Sequence, residues 1–248
     1  MMTIDYSGQT VLVTGGTRGI GKATADLFYE LGANTIVTGT KQSEIDSFNK
    51  TNQDPRKHFL QLDLASDTSF DSFTKDLLTF DRLDVCINNA GINIIETLED
   101  AKLSDFNLIH KINVEGPFRI MQAILPKMRN NKYGRIVNIA SIWGVITRPK
   151  RSMYATSKHA LIGLTKTAAI EWAQWNILAN CVSPGFTKTE LTRNTNTQEQ
   201  IEEIEEKIPI KRMAEPIEMA KAIAFLASSY NTYITGQNLT IDGGYTII

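Results

Sequence analysis

The amino-acid sequence predicts an α/β fold, a single-domain doubly wound parallel sheet with helices on both faces. Short apolar strands alternate with amphipathic helices along the chain, and such alternation implies parallel strands joined by right-handed crossovers. A glycine-rich turn joins the first strand directly to the first helix. No linker rich in Pro, Gly or Ser and no block of charge divides the 248 residues, so we expect one domain over residues 1–248.

The individual elements follow from local patterns. Residues 10–14 are a β-branched run that glycines end, which is typical of a buried strand. Residues 20–31 carry apolar side chains at helical intervals, and Gly32 ends this helix. By the same criteria the remaining strands are predicted at 34–38, 57–62, 83–87, 135–140, 178–182 and 237–241, and the remaining helices at 66–80, 103–129, 152–175 and 217–227.

The segment 189–207 is more polar than its surroundings. Its composition predicts a mobile loop and an exposed helix. One interpretation is a substrate lid over about residues 187–212. The other is a solvated surface excursion.

Composition limits the classes of function. Apolar content of 42% and charged content of 21% are ordinary for a soluble globular protein. A formal net charge of −1 provides no field for nucleic acid or a membrane, and no stretch predicts a membrane span or a secretion signal. Cys86 and Cys181 lie in predicted buried strands without a CxxC or histidine partner. No metal site is therefore expected, and a cytoplasmic location is favoured.

The turn after the first strand has the features of a pyrophosphate-binding site. Gly15 permits the tight bend, Gly19 permits close backbone approach, and Gly21 lets the helix pack on the strand. Free backbone N–H groups and the positive end of the helix dipole would then hold a pyrophosphate. The strand–turn–helix context therefore predicts a dinucleotide site. The other turn residues expected to contact this cofactor are Thr17, Arg18 and Ile20.

The end of the second strand indicates which dinucleotide is bound. A site that prefers NAD places Asp or Glu there to bind the ribose 2′-hydroxyl. This chain has Thr40 and Lys41, with no acid before Glu44, while Arg18 and Lys41 offer positive charge. NADP(H) is therefore the preferred cofactor, with NAD(H) left open because both cations would also suit an ordinary surface.

Two further strand ends supply expected cofactor contacts. Asp63 could accept a hydrogen bond from an adenine amino group, or could cap the next helix, and Leu64 is included beside it. Asn89, Ala90 and Gly91 follow the fourth strand. This places them at the carboxyl edge of the sheet, where doubly wound folds bind ligands.

Tyr154 and Lys158 are the strongest candidates for chemistry. Their spacing of four residues puts a phenol and an ammonium on one face of a helix. A nearby cation favours phenolate, so we expect the pKa of Tyr154 to fall from about 10 toward neutrality. Ser141 closes a predicted strand and could hold a substrate oxygen beside the phenol.

These motifs together resemble the classical short-chain dehydrogenase/reductase family over residues 10–244. The matching segments are TGxxxGxG at 14–21, NNAG at 88–91, Asn113, Ser141, Tyr154-x-x-x-Lys158 and Pro184-Gly185. The resemblance implies a Rossmann-like sheet and an NAD(P)-dependent enzyme that interconverts a ketone and a secondary alcohol. Within the family the chain is most similar to the 3-oxoacyl-[acyl-carrier-protein] reductases.

The resemblance also implies roles for individual residues. Tyr154 would exchange a proton with the substrate oxygen, and Ser141 would hydrogen-bond that oxygen. Lys158 would lower the tyrosine pKa and bind the nicotinamide ribose, while Asn113 would hold a water that relays protons to Lys158. The remaining implied cofactor contacts are Pro184, Gly185 and Thr187 near the nicotinamide amide, and Thr189 at a phosphate or the lid.

One departure concerns the acyl carrier protein as a partner. The carrier-protein reductases usually present arginines on neighbouring helices to dock this acidic protein. Arg129 matches one such position, whereas Trp175 stands at the other. The missing cation makes acyl carrier protein a less favoured partner.

A second departure lies in the loop before the catalytic tyrosine, which holds Trp143, Arg148, Lys150 and Arg151. These cations could recognise a carboxylate or phosphate, for instance on an acidic or nucleotide-linked sugar. A solvated or subunit-contact loop is the alternative.

Two wider expectations concern the class of protein and its assembly. A non-catalytic dinucleotide sensor would keep the glycine turn but would not need Ser141, Tyr154 and Lys158 together, so an enzyme is preferred. Apolar stripes on helices 103–129 and 152–175, with the family likeness, predict a homotetramer or a dimer.

Overall fold

In the computed structural model, which describes residues 3–190, 192 and 197–247, seven strands form one parallel sheet. The strands are β1 (Thr10–Val13), β2 (Asn34–Gly39), β3 (Lys57–Gln61), β4 (Val85–Asn88), β5 (Gly134–Ile139), β6 (Ile177–Pro184) and β7 (Asn238–Ile241). The helices are α1 (Gly19–Glu30), α2 (Gln42–Thr51), α3 (Asp67–Leu78), α4 (Leu103–His110), α5 (Gly116–Asn131), α6 (Ser152–Trp172), α7 (Gln198–Lys207) and α8 (Pro216–Ala227). Shorter turns are a π turn at Lys111–Glu115 and 3-10 turns at Ile142–Gly144, Ala173–Trp175 and Tyr245–Ile247.

Helices cover both faces of this sheet, as the sequence predicts. Side chains alternate along each strand, so Leu12 of β1 packs with α3, α5 and α6, while Val11 and Val13 pack with α1 and α8. Every residue of β1, β4, β5 and β6 is buried. Strands buried on both faces read as continuous apolar runs, which is why their positions were predictable.

The strand order β3-β2-β1-β4-β5-β6-β7 places the ligand crevice. The chain runs outward from β1 through β2 to β3, then returns to pair β4 with the other side of β1. Val13 and Ile87 lie opposite each other in that pair. Crossover connections diverge at this point and leave a crevice at the carboxyl ends of the strands.

Two predicted elements differ from the structure. Helix α2 was not predicted, because its sequence is polar and Ile45 is its one buried residue. The single helix predicted at 103–129 is wrong in its middle, where the π turn Lys111–Glu115 separates α4 from α5. A π turn inserts one extra residue, so it shifts the direction of the side chains around it. Asn113 is the buried residue of this turn.

The segment predicted as a lid lies partly outside the described residues, which omit 191 and 193–196. Its described part includes α7, whose exposed character agrees with the sequence. Ile204 and Ile208 from this region pack against Met213 and reach Phe186 and Tyr245. None of the described helices has the length and apolar content needed to cross a membrane.

Candidate active site

The turn between β1 and α1 is closely packed, and the backbone N–H groups of Gly15 and Gly16 donate to Thr38 of β2. Gly15 has a φ of 60°, a left-handed conformation that glycine adopts without steric cost. A Cβ atom on Gly21 would lie 2.3 Å from the carbonyl oxygen of Gly15 and 2.4 Å from Nδ2 of Asn89. No larger residue fits at Gly21 unless the turn moves. The start of α1 and the turn are therefore in direct contact.

Thr14 and Asn89 lock this turn to the end of β4. The backbone N–H groups of Asn89 and Ala90 each donate to Thr14 Oγ1 at 3.0 Å. Asn89 Nδ2 donates to the carbonyl oxygens of Thr14 and Gly15 at 2.9 and 3.1 Å. The side chain of Asn89, expected to contact the cofactor, thus holds the turn in place.

The end of β2 presents positive charge near the turn. Thr17 lies against Gly39, where a Cβ atom would be 2.9 Å from Thr17 Cγ2. Arg18, Thr40 and Lys41 are exposed, and within the described residues neither Arg18 nor Lys41 forms an ion pair. These side chains are free to meet a ligand phosphate.

The two contacts expected after β3 have different surroundings. Asp63 Oδ1 accepts a hydrogen bond from Ala65 N at 2.9 Å, and Asp63 is only half-buried. Its carboxylate therefore organises the loop before α3, whereas the helix cap that the sequence offered as its alternative role is Ser66. Leu64 is buried and packs against Gly116, so its side chain faces the core. Only its backbone could meet a cofactor.

The segment after β6 returns over the glycine turn. Thr187 is buried, and its Oγ1 donates to the carbonyl oxygen of Gly185 at 3.3 Å. A Cβ atom on Gly19 would lie 3.4 Å from Thr189 Cγ2. Thr189 is thus next to the start of α1, while Pro184 ends β6 at the same edge of the sheet.

The candidate catalytic residues come together beside the end of β5. Ser141 follows that strand, and its Oγ accepts a hydrogen bond from Trp143 N at 3.2 Å. Tyr154 and Lys158 share one face of α6, with Lys158 Nζ 5.5 Å from the centre of the tyrosine ring. Lys158 Nζ also donates to the carbonyl oxygen of Ile139 at 2.7 Å. This bond ties α6 to the end of β5.

Asn113 connects the same site to the loop after β4. Its Oδ1 accepts from Ile92 N at 2.9 Å, and its Nδ2 donates to the Ile92 carbonyl oxygen at 2.9 Å and to Ser157 Oγ at 3.1 Å. A Cβ atom on Gly91 would lie 3.1 Å from Asn113 Oδ1 and 3.5 Å from Lys158 Nζ. The amide of Asn113, in the π turn, therefore holds the loop after β4 against α6, and Asn113 and Lys158 both lie next to Gly91.

The comparison with known families agrees with this arrangement. A family model described as enoyl-(acyl carrier protein) reductase matches residues 15–246. The chain belongs to the short-chain dehydrogenase/reductase family.

Its relatives cover the whole chain. The 3-oxoacyl-[acyl-carrier-protein] reductase FabG of Rickettsia bellii (strain RML369-C) is 36% identical over 245 residues, which are 99% of this chain and 100% of that protein. The structure of a gluconate 5-dehydrogenase from Burkholderia cenocepacia J2315 in complex with NADP and tartrate has a TM-score of 0.90 and 27% identity, covering 99% and 98% of the two chains. The structure of ElxO with NADP bound has a TM-score of 0.89 and 34% identity, covering 97% and 99%. These similarities confirm the predicted family and an oxidoreductase acting on CH–OH and C=O groups.

The lowered pKa expected for Tyr154 of this short-chain dehydrogenase/reductase is wrong for the protein without its cofactor. The pKa of Tyr154 is raised rather than lowered, because burial of the hydroxyl disfavours phenolate. Hydrogen bonding to Ser141 and the charge of Arg151 lower this pKa by less than burial raises it. Burial also lowers the pKa of Lys158, to about 8. The ammonium of Lys158 is directed at the Ile139 carbonyl, and desolvation dominates both groups.

The basic loop of this dehydrogenase/reductase packs around Trp143. That indole is buried, with the Cζ atoms of Arg148 and Arg151 at 5.0 and 5.9 Å from its ring. Arg151 is only 8% exposed, and among the described residues its Nε and Nη1 have no hydrogen-bond partner. Lys150 has a left-handed backbone, with a φ of 66°, and remains exposed.

Sequence reasoning missed the aromatic residues that hold Trp143. Phe186 and Tyr245 meet its ring edge to face, with ring centroids at 6.2 and 6.5 Å. Phe186 directly follows the Pro184-Gly185 motif, which was a usable signal. Tyr245 lies in the last turn of the chain, and no local pattern connects it to residue 143. Among the described residues no cluster of three or more His, Cys, Asp or Glu could hold a metal ion.

Proposed function

We propose that this chain is an NADP(H)-dependent oxidoreductase that reduces a ketone or oxidises the corresponding secondary alcohol. The observation that carries the proposal is the convergence of Ser141, Tyr154 and Lys158 at the carboxyl edge of the sheet, the same edge that carries the glycine turn. The relatives bound to NADP and the FabG reductases support the same chemistry.

The residues at the carboxyl ends of the strands fit a dinucleotide. Gly15 and Gly21 let the turn close tightly against the start of α1, and a pyrophosphate would bind beside Gly19 at the N-terminus of that helix. Arg18 and Lys41 would bind a ribose 2′-phosphate, and the remaining proposed contacts are Thr17, Ile20, Thr40, Asp63, the Leu64 backbone, Asn89, Ala90, Gly91, Pro184, Gly185, Thr187 and Thr189. When bound, the nicotinamide supplies the hydride that is exchanged with the substrate carbon.

The protein supplies proton transfer and orientation. Tyr154 donates its proton to the substrate oxygen in reduction, or accepts the proton of the alcohol in oxidation. Ser141 hydrogen-bonds the same oxygen. Lys158 carries a positive charge below a pH of about 8 and binds the ribose hydroxyls. Asn113 orders a water that relays protons to Lys158.

The end of β2 gives a test of the cofactor preference. Thr40→Asp would place a carboxylate where a 2′-phosphate is expected, so the ratio of kcat/KM for NADPH over NADH is expected to fall by about tenfold or more. Thr40→Asn is the matched control, since it has nearly the same shape without charge. An unchanged ratio in Thr40→Asp would show that the phosphate is bound elsewhere.

The lowered pKa of Lys158 predicts a pH dependence. The amine is protonated below about 8 and loses its charge as the pH rises through that value. Because kcat/KM reports groups of the free enzyme, kcat/KM for NADPH is expected to decline above a pH of about 8. In Lys158→Arg the decline is expected at higher pH, because guanidinium does not titrate in this range. Lys75→Met, which removes an exposed charge on α3, serves as the control. If kcat/KM of Lys158→Arg declined at the same pH as that of the wild-type protein, the titration would belong to another group.

A 3-oxoacyl thioester on acyl carrier protein is the first candidate substrate, because curated relatives of this chain are 3-oxoacyl-[acyl-carrier-protein] reductases. The docking surface is weaker than in the family pattern. Arg129 stacks over Trp175 with Cζ 5.4 Å from the ring centroid, so an indole stands where a second cation was expected.

A sugar acid or another small anionic ketone is the second candidate. The specific observation is the pair of arginines at Trp143, close to Tyr154. The gluconate 5-dehydrogenase similar to this chain was solved with tartrate, a small dicarboxylate.

A spectrophotometric screen of NADPH oxidation tests the function and separates these candidates. The screen compares a 3-oxoacyl thioester of acyl carrier protein, 5-ketogluconate and a neutral ketone such as cyclohexanone. Oxidation of NADPH with none of several ketones, and reduction of NADP with none of the matching alcohols, would contradict the proposed reaction.

Two further proposals concern the cellular state. Free, buried Cys86 and Cys181 suit a cytoplasmic protein. We also propose a homotetramer or dimer, because Phe106 and Phe118 on the α4–α5 surface and Ile170 on α6 are exposed apolar side chains. The lid over 187–212 remains part of the proposal, with Thr189 at its start.

A further inference from the structure

We propose that Arg151, assisted by Arg148, binds an oxyanion carried by a small substrate, a carboxylate or a phosphate close to the reacting carbonyl. This inference rests on the proposed function, since it names the class of substrate that the same site accepts. It distinguishes small keto acids and keto phosphates from neutral ketones.

The first observation is that Arg151 is buried and forms no ion pair among the described residues. Its side chain is 8% exposed, and Nε and Nη1 find no acceptor among the described residues. Guanidinium has five N–H donors and no acceptor, and leaving buried donors unpaired costs free energy. Such a group is therefore normally matched by acceptors, as the buried Arg135 is by the carbonyl oxygens of Gly134 and Asn176. Neither Arg151 nor Arg148 has an ion pair in the described chain. The residues outside it (1, 2, 191, 193–196 and 248) include no Asp or Glu.

The second observation is the position of Arg151 relative to the chemistry. Arg151 is the N-cap of α6, and its carbonyl oxygen accepts from Ala155 N at 2.7 Å. It precedes Tyr154 by three residues, which places both on one side of the helix about one turn apart. The charge of Arg151 also reaches the phenol, because it lowers the pKa of Tyr154. A small substrate could therefore place its anionic group on Arg151 and its carbonyl group at Tyr154, with a few covalent bonds between the two groups.

The third observation is a fixed platform that gathers two cations. Arg148 and Arg151 share the Trp143 ring, and the charge of Arg148 makes that of Arg151 less favourable. Phe186 and Tyr245 hold this ring from the side. The backbone N–H of Trp143 donates to Ser141 Oγ, so the platform is joined to the proposed substrate-oxygen site. A bound anion would relieve the repulsion and satisfy the buried donors.

The experiment compares pairs of ketones, one charged and one neutral, that share the reacting carbonyl and differ at one other group. The acids are pyruvate, acetoacetate and levulinate, each paired with its methyl ester, and dihydroxyacetone phosphate is paired with dihydroxyacetone. We expect the wild-type protein to prefer at least one charged member in kcat/KM. The series of acids measures the distance from carbonyl to anion, and the phosphate pair separates the two oxyanions.

Substitution of Arg151 then assigns the preference. In Arg151→Met the charged-to-neutral ratio of kcat/KM is expected to fall by about 10- to 100-fold, the range for loss of a buried charge-assisted contact. Arg151→Lys is expected to retain part of the preference, because it keeps the charge without the planar fork. Arg56→Met removes an arginine at the opposite edge of the sheet, before β3, and is expected to leave the ratio unchanged.

Other outcomes are decisive as well. Equal losses for acid and ester in Arg151→Met would overturn the inference, and a concurrent change in assembly size would assign Arg151 to a subunit contact. Tyr154→Phe is expected to lower both members of a pair, so its failure to do so would reject the proposed function instead. If no ketone is turned over, calorimetric titration of tartrate and inorganic phosphate into the complex with NADP decides. Binding that Arg151→Met abolishes supports the inference, and absence of binding refutes it.

Discussion

Tyr154→Phe is expected to lower turnover by about 10²- to 10⁴-fold, the usual contribution of a positioned proton donor. The substitution removes only the hydroxyl. The ring, which packs against Ile142, Trp143 and Ala155, stays in place. Dinucleotide affinity is therefore expected to be nearly unchanged, because the glycine turn is not altered. Steady-state turnover and a fluorescence titration of NADPH measure the two quantities separately.

Tyr233→Phe is the matched control for this experiment. Tyr233 is 94% exposed and lies on the loop between α8 and β7, so the same chemical change there is expected to leave turnover intact. Substantial turnover in Tyr154→Phe, within a few fold of the control, would remove the phenol from the proposed proton transfer.

Gly21→Ala is expected to damage both stability and dinucleotide binding. The added methyl group would overlap the Gly15 carbonyl oxygen and Asn89 Nδ2, at 2.3 and 2.4 Å. Forcing extra atoms into a packed site costs typically up to about 3 kcal/mol. If the whole of that free-energy cost fell on the turn in its binding conformation, NADPH affinity would fall by roughly 100-fold. Thermal unfolding and NADPH titration divide the loss between stability and affinity.

Gly163→Ala is the matched control, and it is expected to raise stability instead of lowering it. Gly163 lies in α6, and a Cβ atom there would meet nothing within 4 Å. Alanine is a better helix former, so stability is expected to rise by about 0.5–1 kcal/mol. If Gly21→Ala bound NADPH with the affinity of the wild-type protein, the glycine turn would not be the pyrophosphate site.

The features that the sequence predicts well are those that depend on near neighbours. Buried parallel strands such as residues 85–88 read as apolar runs whatever packs against them. The phenol and ammonium of Tyr154 and Lys158 share a helix face because four residues make about one turn. The glycine turn is recognisable because its strand and helix adjoin it directly.

The features that sequence reasoning missed depend on distant contacts. Helix α2 has a polar sequence with Ile45 as its one buried residue, so no apolar stripe marks it. Its stacking contact between Phe48 and Phe59 joins it to β3 and is not visible in the local sequence. The direction of the Tyr154 pKa depends on how deeply the hydroxyl is buried, which nearby residues do not reveal. Arg151 could be recognised as unpaired only after every acid of the described chain had been placed. Tyr245 meets Trp143 across about a hundred residues of chain.

The bonds between Thr14 and Asn89 link residues 75 positions apart in the chain. During synthesis, therefore, the β1–α1 unit emerges long before the strand that braces it. Contacts between such distant residues carry the entropy cost of closing a long loop, so they form more slowly than the local contacts of the β1–α1 unit. We therefore expect nucleotide to bind only once β4 has paired with β1. Bound nucleotide then stabilises the whole domain and not the β1–α1 unit by itself.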